Sequence, residues 1–406
     1  MKVAFISLIP YDTYSEDLIR NHSEDPDFFD REILANHSDP VHKWCKMLLD
    51  KGIKIEFWYL SRYSSNVKAF RHKYGHETRR IPSFNTKKIF SRYFENEISF
   101  SLFKELKRNK ISHVLLLNYL QNKRILIDFS DMLIIFCRRN GIKIFPIYGG
   151  DSIDNYPLVK KRLKNSFLKM TNELLCQSRR EINLMVDKLK FPGEKAHYFL
   201  NPLDLQFFYP ISKDQAIRQL GLSSSSKYLL YIGRFEYGKG IHHIINIMHV
   251  ILERHPNIVF IMMGKGGYLT ELRKLINDLA LTEKIIIKEP VENNKLLFYY
   301  NIADILLLPS YSEGTPNVLM EAIACNTVCI ATDVGGIPDL LSEDIGIMVK
   351  PKDEVALLNE ICLVLNKGFV INQNKRNKLL SEIDLNAKGS ELLEILCKDE
   401  SMKILN

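Results

Sequence analysis

Several features that a chain of 406 residues often carries are missing here. No two of its seven cysteines (Cys45, Cys137, Cys176, Cys325, Cys329, Cys362, Cys397) form a C-x-x-C pair, and their number is odd. That excludes a zinc ribbon and a disulfide framework, and points to a reducing compartment. No apolar run approaches the ~18 residues that cross a bilayer. The opening MKVAFISLIPYD holds only a strand-length apolar segment, too short for the core of a secretion signal, so a cytoplasmic protein is expected. No G-x-G-x-x-G follows the first strand-like segment, and Gly264-Lys265-Gly266-Gly267 lacks the third glycine at the required spacing, which sets aside a dinucleotide oxidoreductase. The one close aspartate pair, Asp25-Pro26-Asp27, lies in a polar insertion and not after an apolar strand, so it reads as a solvated loop and no metal site is expected.

What remains is ordinary for a folded protein: 46% apolar and 26% charged residues, with enough chain for two or three domains at ~100–200 residues each. The net charge of +8 is unevenly distributed. Residues 1–200 hold 35 Lys and Arg against 23 Asp and Glu, a net +12, and the remainder carries −4. Runs such as Lys104, Lys107, Arg108, Lys110 and Lys160, Lys161, Arg162, Lys164 suit a phosphorylated acceptor or an anionic membrane surface, or are simply solvated helix faces.

Apolar strands alternate with helical segments along the whole chain, which is the βαβ rhythm of a doubly wound parallel sheet. In the first half the strands are Lys2 to Leu8, Ile53 to Leu60, Ile111 to Leu117, Ile142 to Tyr148, Leu174 to Gln177 and Lys195 to Phe199, with helices at Val41 to Lys51 and Gln121 to Asn140. The rhythm lapses around Asn201-Pro202-Leu203-Asp204 and restarts after Ser223 to Ser226 with the strands KYLLYI, IVFIMM, KIIIK, ADILLLP, TVCIAT and IGIMV. The expected architecture is α/β: a first Rossmann-like domain over 1–205, a second over 206–385, and a terminal helix over 386–406 packing back on the first. Ligands in such sheets bind beyond the carboxyl ends of the strands.

Two loops there carry chemistry. Gly233-Arg234-Phe235-Glu236-Tyr237-Gly238-Lys239-Gly240 nearly spells the P-loop of nucleotide triphosphatases, but Gly240 stands where a magnesium-binding hydroxyl is needed. What survives is a glycine loop with two cations, Arg234 and Lys239, beside a helix start, which suits a diphosphate. The second loop, Leu308 to Ala322, places Thr315 at a helix N-cap and Pro316 at the first helical position, so that the amides of Asn317 and Val318 face an anion. Glu313 and Glu321 flank that point, and carboxylates are acceptors for paired hydroxyls. A diphosphate with a sugar on either side fits the arrangement, with Glu313 toward the transferred sugar and Glu321 toward the ribose. Taken singly, Glu313 reads as a turn residue and Glu321 as a solvated helix residue.

YIGRFEYGKG, MGKGG at 263–267, PSYSEGTPNVLMEA and ATDVGGIPDLL at 331–341 together resemble, in order and spacing, the retaining glycosyltransferases of family 4 with the two-domain GT-B fold. YGGDSID at 148–154 is similar to the acceptor-side loop of that family. The resemblance implies catalytic roles for Arg234, Lys239, Glu313 and, toward the acceptor, Asp151. It implies donor contacts from Gly233, Gly266, Lys288, Glu289, Thr315, Pro316, Asn317, Val318 and Glu321. It also implies a nucleotide diphosphate sugar as donor, a glycan or lipid-linked acceptor, retention at the anomeric carbon, no cofactor or metal, no nucleic acid, and at most peripheral contact with a membrane. The histidine usual at the start of the first helix has no clear counterpart, His37 and His42 both lying near the place. A nucleotide-sugar epimerase and a catalytically inactive nucleotide-sugar-binding protein of the same fold share these motifs.

Overall fold

A computed structural model describes residues 1–8, 40–61, 65–85, 97–117, 119–120, 127–148, 153 and 156–404. The chain divides into two compact units, Met1–Pro202 with Leu385–Asn406, and Leu203–Asp384. The break falls three residues before the expected boundary.

The first unit is built on an eight-stranded sheet in the order β10-β9-β8-β7-β1-β2-β4-β3. Its elements are β1 (Lys2–Ser7), α1 (Pro40–Asp50), β2 (Lys54–Ser61), β3 (Lys68–Arg71), β4 (Glu77–Pro82), the short pair β5 (Phe84–Asn85) and β6 (Glu97–Ile98), and α2 (Phe100–Arg108). There follow β7 (His113–Leu117), α3 (Phe129–Arg139), β8 (Lys143–Tyr148), α4 (Leu158–Leu168), β9 (Leu174–Cys176), α5 (Arg179–Leu189) and β10 (Ala196–Tyr198). Successive side chains on a strand point to opposite faces, and both faces are covered, so the strands read as nearly continuous apolar runs. Ala4 and Ile6 join the core under α2 to α5, whereas Val3 and Phe5 join a second core that includes Trp44 of α1 and Leu392 and Leu396 of the terminal helix.

One element was missed and two local expectations are corrected. The hairpin β3–β4 was not legible, because the sequence ETRRIP of β4 mixes charge into a strand near the sheet edge. The helix placed at Gln121 to Asn140 is Phe129–Arg139. Asp128 caps it, accepting from the Asp131 amide, while the Asp131 carboxylate accepts from the Asp128 amide; this capping box fixes the start. Lys160 and Lys164 are buried, so that part of the basic run of α4 is not a solvated face.

His42 of α1 is buried and stacked on His72 and His76 of the β3–β4 turn. The three rings bring nitrogens within 4.8 Å of one another. The donor set is poorly suited to an ion. The His42 and His72 rings are near-parallel, 7° apart at 4.0 Å, so their lone pairs lie in separate planes, and His72 Nδ1 accepts from the Tyr74 amide at 3.2 Å. They are packed imidazoles, with His42 Nδ1 and His76 Nε2 sharing a hydrogen bond of 3.0 Å. Burial, and next the neighbouring His72, push His76 down to about 3. In the unfolded chain the same ring takes up a proton near pH 6.5, so between those values the unfolded state binds more protons. Stability is therefore expected to fall as pH drops below ~6.5, by up to ~1.4 kcal/mol per pH unit from this group, and to be unaffected by it at higher pH. Urea midpoints from pH 7.5 to 4.5 check this. A slope no shallower in His76→Gln would rule out the assignment.

The second unit contains α6 (Lys213–Leu220), β11 (Lys227–Ile232), α7 (Ile241–Arg254), β12 (Ile258–Met263), α8 (Leu269–Asp278), β13 (Ile285–Lys288), α9 (Asn293–Ile302) and β14 (Ile305–Leu308). It continues with α10 (Asn317–Ala324), β15 (Cys329–Thr332), α11 (Ile337–Leu340), β16 (Ile347–Val349), α12 (Glu354–Lys367) and α13 (Gln373–Ile383). The terminal helix of the first unit is α14 (Leu385–Ile404). The sheet order is β13-β12-β11-β14-β15-β16, with every pair parallel. The chain runs outward from β11 in one direction and then returns to add β14 on its other side, so the loops after β11 and β14 diverge at a topological switch point.

Candidate active site

Those two loops are the glycine loop and the glutamate loop. After β11 the chain turns through Gly233 to Phe235, whose amide donates to the Lys265 carbonyl at 2.9 Å. A Cβ on Gly264 would collide with the Gly233 carbonyl, and one on Gly266 with that of Phe235, so glycine is required where these backbones touch. Gly233 itself donates to the Met263 carbonyl at 3.0 Å. A single 3-10 turn carries Lys239, and Gly240 follows with φ +65° against the Pro309 carbonyl oxygen, a conformation and a contact that a side chain would disturb.

Lys239 thereby reaches across the switch point. Its Nζ lies 2.7 Å from Glu313 Oε1, with side chains 17% and 10% exposed, and the Ser310 hydroxyl donates to the same oxygen at 2.6 Å. The loop is held from behind by the 331–341 motif. The Gly336 amide donates to the Gly314 carbonyl at 2.8 Å, and a Cβ on Gly335 (φ +57°) would run into the Glu313 carbonyl oxygen.

The other expected residues are placed as follows. Arg234 is turned to the surface, 65% exposed, with Nη1 2.8 Å from Glu236 Oε1, and is apart from the Lys239–Glu313 pair in this conformation. Pro316 is not the first helical residue: its ψ of 116° is extended, it occupies the N-cap, and α10 starts at Asn317. Asn317 and Val318 thus form the first turn of α10, at the positive end of its dipole. Glu321 is buried and accepts from the Tyr300 hydroxyl at 2.7 Å, so the alternative of a solvated helix residue does not hold. Burial, then the Glu321 carboxylate, push that phenol far up. Lys288 ends β13, and its carbonyl accepts from Gly264 at 3.0 Å, while Glu289 is exposed just beyond it. Asp151, His37 and the Asp25–Asp27 pair lie outside the described residues.

The sequence reading missed Ser310, Gly335, Tyr300, and a further group around Tyr311, His243 and Glu354. Ser310 and Gly335 were inside quoted motifs, yet their roles depend on which carbonyl or carboxylate they meet. Tyr300 sits on α9, and no spacing rule connects it to Glu321.

Residues 212–382 match the family model described as glycosyl transferases group 1. Over these residues the second unit resembles the group 1 glycosyl transferases. An uncharacterized glycosyltransferase of Methanocaldococcus jannaschii is 30% identical over 195 residues, 46% of this chain and 50% of that protein. A D-inositol 3-phosphate glycosyltransferase of Nocardiopsis dassonvillei is 30% identical over 172 residues, 39% of the chain and 40% of that protein. The matched segment thus spans about half the length of these relatives or less. Over the whole chain the likeness is one of fold. Sucrose-phosphate synthase from Thermosynechococcus elongatus has a TM-score of 0.75 at 17% identity, covering 99% of this chain and 100% of that one. Anabaena HepE, solved with UDP-glucose, has a TM-score of 0.70 at 14% identity, covering 98% and 100%. The fold is GT-B, two doubly wound α/β domains.

Proposed function

We propose that the protein is a retaining glycosyltransferase that moves a sugar from a nucleoside diphosphate sugar to a glycan or lipid-linked acceptor without a metal ion. The observation that carries this reading is the Lys239–Glu313 pair at the switch point of the group 1 domain, beside the first turn of α10. An ammonium and a helix start can stabilise charge growing on a departing diphosphate, and the paired carboxylate can take sugar hydroxyls. The names of its relatives agree: glycosyltransferases in sequence, and in fold a protein solved with UDP-glucose.

Displacing the diphosphate on one face, with its own oxygen accepting the acceptor proton, gives retention without a covalent intermediate. Glu313 and Glu321 are then binding groups and neither is a nucleophile, and Asp151 is assigned to the acceptor by the family resemblance alone. Any membrane contact falls to exposed cations such as Lys104, Lys107 and Arg108, since Lys160 and Lys164 are buried.

The test is release of nucleoside diphosphate from a panel of nucleotide sugars, with and without chelator. Slow hydrolysis of one donor, accelerated by an acceptor and indifferent to chelator, is expected. Isomerisation of free donor would indicate an epimerase, tight binding with no turnover an inactive binding protein, and a glycosyl adduct on either glutamate would exclude the one-face route.

A further inference from the structure

A hydrogen-bonded chain ties the two loops of the site together from behind. Tyr311 lies two residues before Glu313, and its amide donates to the Gly238 carbonyl, next to Lys239, at 2.8 Å. Its hydroxyl meets His243 Nε2 at 2.6 Å and His242 Nε2 at 3.0 Å. His243 Nδ1 lies 2.6 Å from Glu354 Oε1, which also accepts from Asn246 Nδ2 at 2.9 Å. The carboxylate fixes the order of protons. Glu354 only accepts, so His243 carries its proton on Nδ1 and leaves Nε2 as an acceptor for the Tyr311 hydroxyl. The tyrosine oxygen then accepts from His242 Nε2–H. The bare Nδ1 of His242 fits this order, being buried with no hydrogen-bond partner. Lys352 Nζ stands 4.8 Å above the Tyr311 ring, and Tyr237, whose ring stacks on His242, meets that of Tyr311 edge-on.

We propose that Glu354, His243 and Tyr311 are positioning residues that set the separation of the Lys239 and Glu313 loops through one directed hydrogen-bond chain. They touch neither ion-pair partner. Glu354 opens α12 and His243 stands in the first turn of α7, two elements far apart in sequence, so the chain braces the glutamate loop against the helix that the glycine loop enters. Its loss slackens two groups that must act on adjoining parts of one ligand, and misplacement on the ångström scale lowers turnover more than it lowers binding.

The kinetic arm of the test rests on the sugar-transfer reading; the spectroscopic arm does not. Tyr311→Phe keeps the ring and its packing while removing the hydroxyl. It is expected to lower kcat on the order of 10- to 100-fold with donor KM within about threefold. Glu354→Leu should match it, Glu354→Gln, which keeps an accepting oxygen, should recover most of the loss, and the double variant Tyr311→Phe with Glu354→Leu should be no worse than either single one, as for residues acting in one chain. In parallel, nitrogen-15 spectra of the wild-type histidines at pH 7.5 should show His243 as the Nδ1–H tautomer. A wild-type kcat in Tyr311→Phe, a loss carried by KM alone, or the Nε2–H tautomer of His243 would each overturn the proposal. A wild-type protein with no transfer from any donor sinks the functional reading instead, and the tautomer still decides the chain.

Discussion

Lys239→Ala is expected to lower turnover about 100- to 1000-fold, the loss of ~2.7–4 kcal/mol typical when one preorganised donor to a developing anion is removed. Two features make this side chain the stronger candidate of the two cations. It is held at 17% exposure by Glu313, whereas Arg234 is 65% exposed on Glu236, and a surface ion pair of that kind is worth little and is readily exchanged. Removing Lys239 also strips Glu313, 10% exposed, of its cation. Lys239→Arg retains charge but not the compact ammonium, and should recover only part of the rate. The measurement is single-turnover transfer with the donor identified by the panel. A rise in KM with unchanged kcat would mean that Lys239 binds donor and transition state alike. Near-full activity would remove it from the mechanism.

Much of the second unit was legible because its chemistry is local. Each motif loop directly follows an apolar strand, and six such strands alternating with helices are what a parallel βαβ sheet requires. That Lys239 and Glu313 should meet follows from the switch point between β11 and β14. What was not legible is whatever depends on a partner distant in sequence: Tyr300 on Glu321, Glu354 on His243, and the rotamer that sends Arg234 to Glu236. The first unit was read less well for the same reason. Two of its helices, α3 and α5, begin at capping boxes, and the D-x-x-D signal at Asp128 and Asp131 was present in the sequence but masked by the apolar run around it. Nor does a basic run disclose which of its members point inward; along α4, Lys160, Lys164 and Leu168 recur at four-residue steps on one buried face.

Lys164 shows how large the consequence of that face is. It is fully buried and hydrogen-bonds both Asp128, at 2.8 Å, and Asp131, so one ammonium bridges two carboxylates at the start of α3. The Tyr119 hydroxyl donates to the Asp131 carboxylate at 3.0 Å. Burial, then the neighbouring Asp128, raise Asp131 even against the pull of Lys164. Lys164→Ala would leave those two charges without their cation in the interior, and a cost of ~3–5 kcal/mol is expected, close to the whole stability of many domains. Lys164→Met with both aspartates changed to asparagine removes the charges together and should recover most of it, because a buried ion pair contributes little beyond satisfying itself. Urea denaturation of the three proteins decides. A loss within ~0.5 kcal/mol for Lys164→Ala is what a solvated surface lysine would give, and would return α4 to the role of a basic outer face.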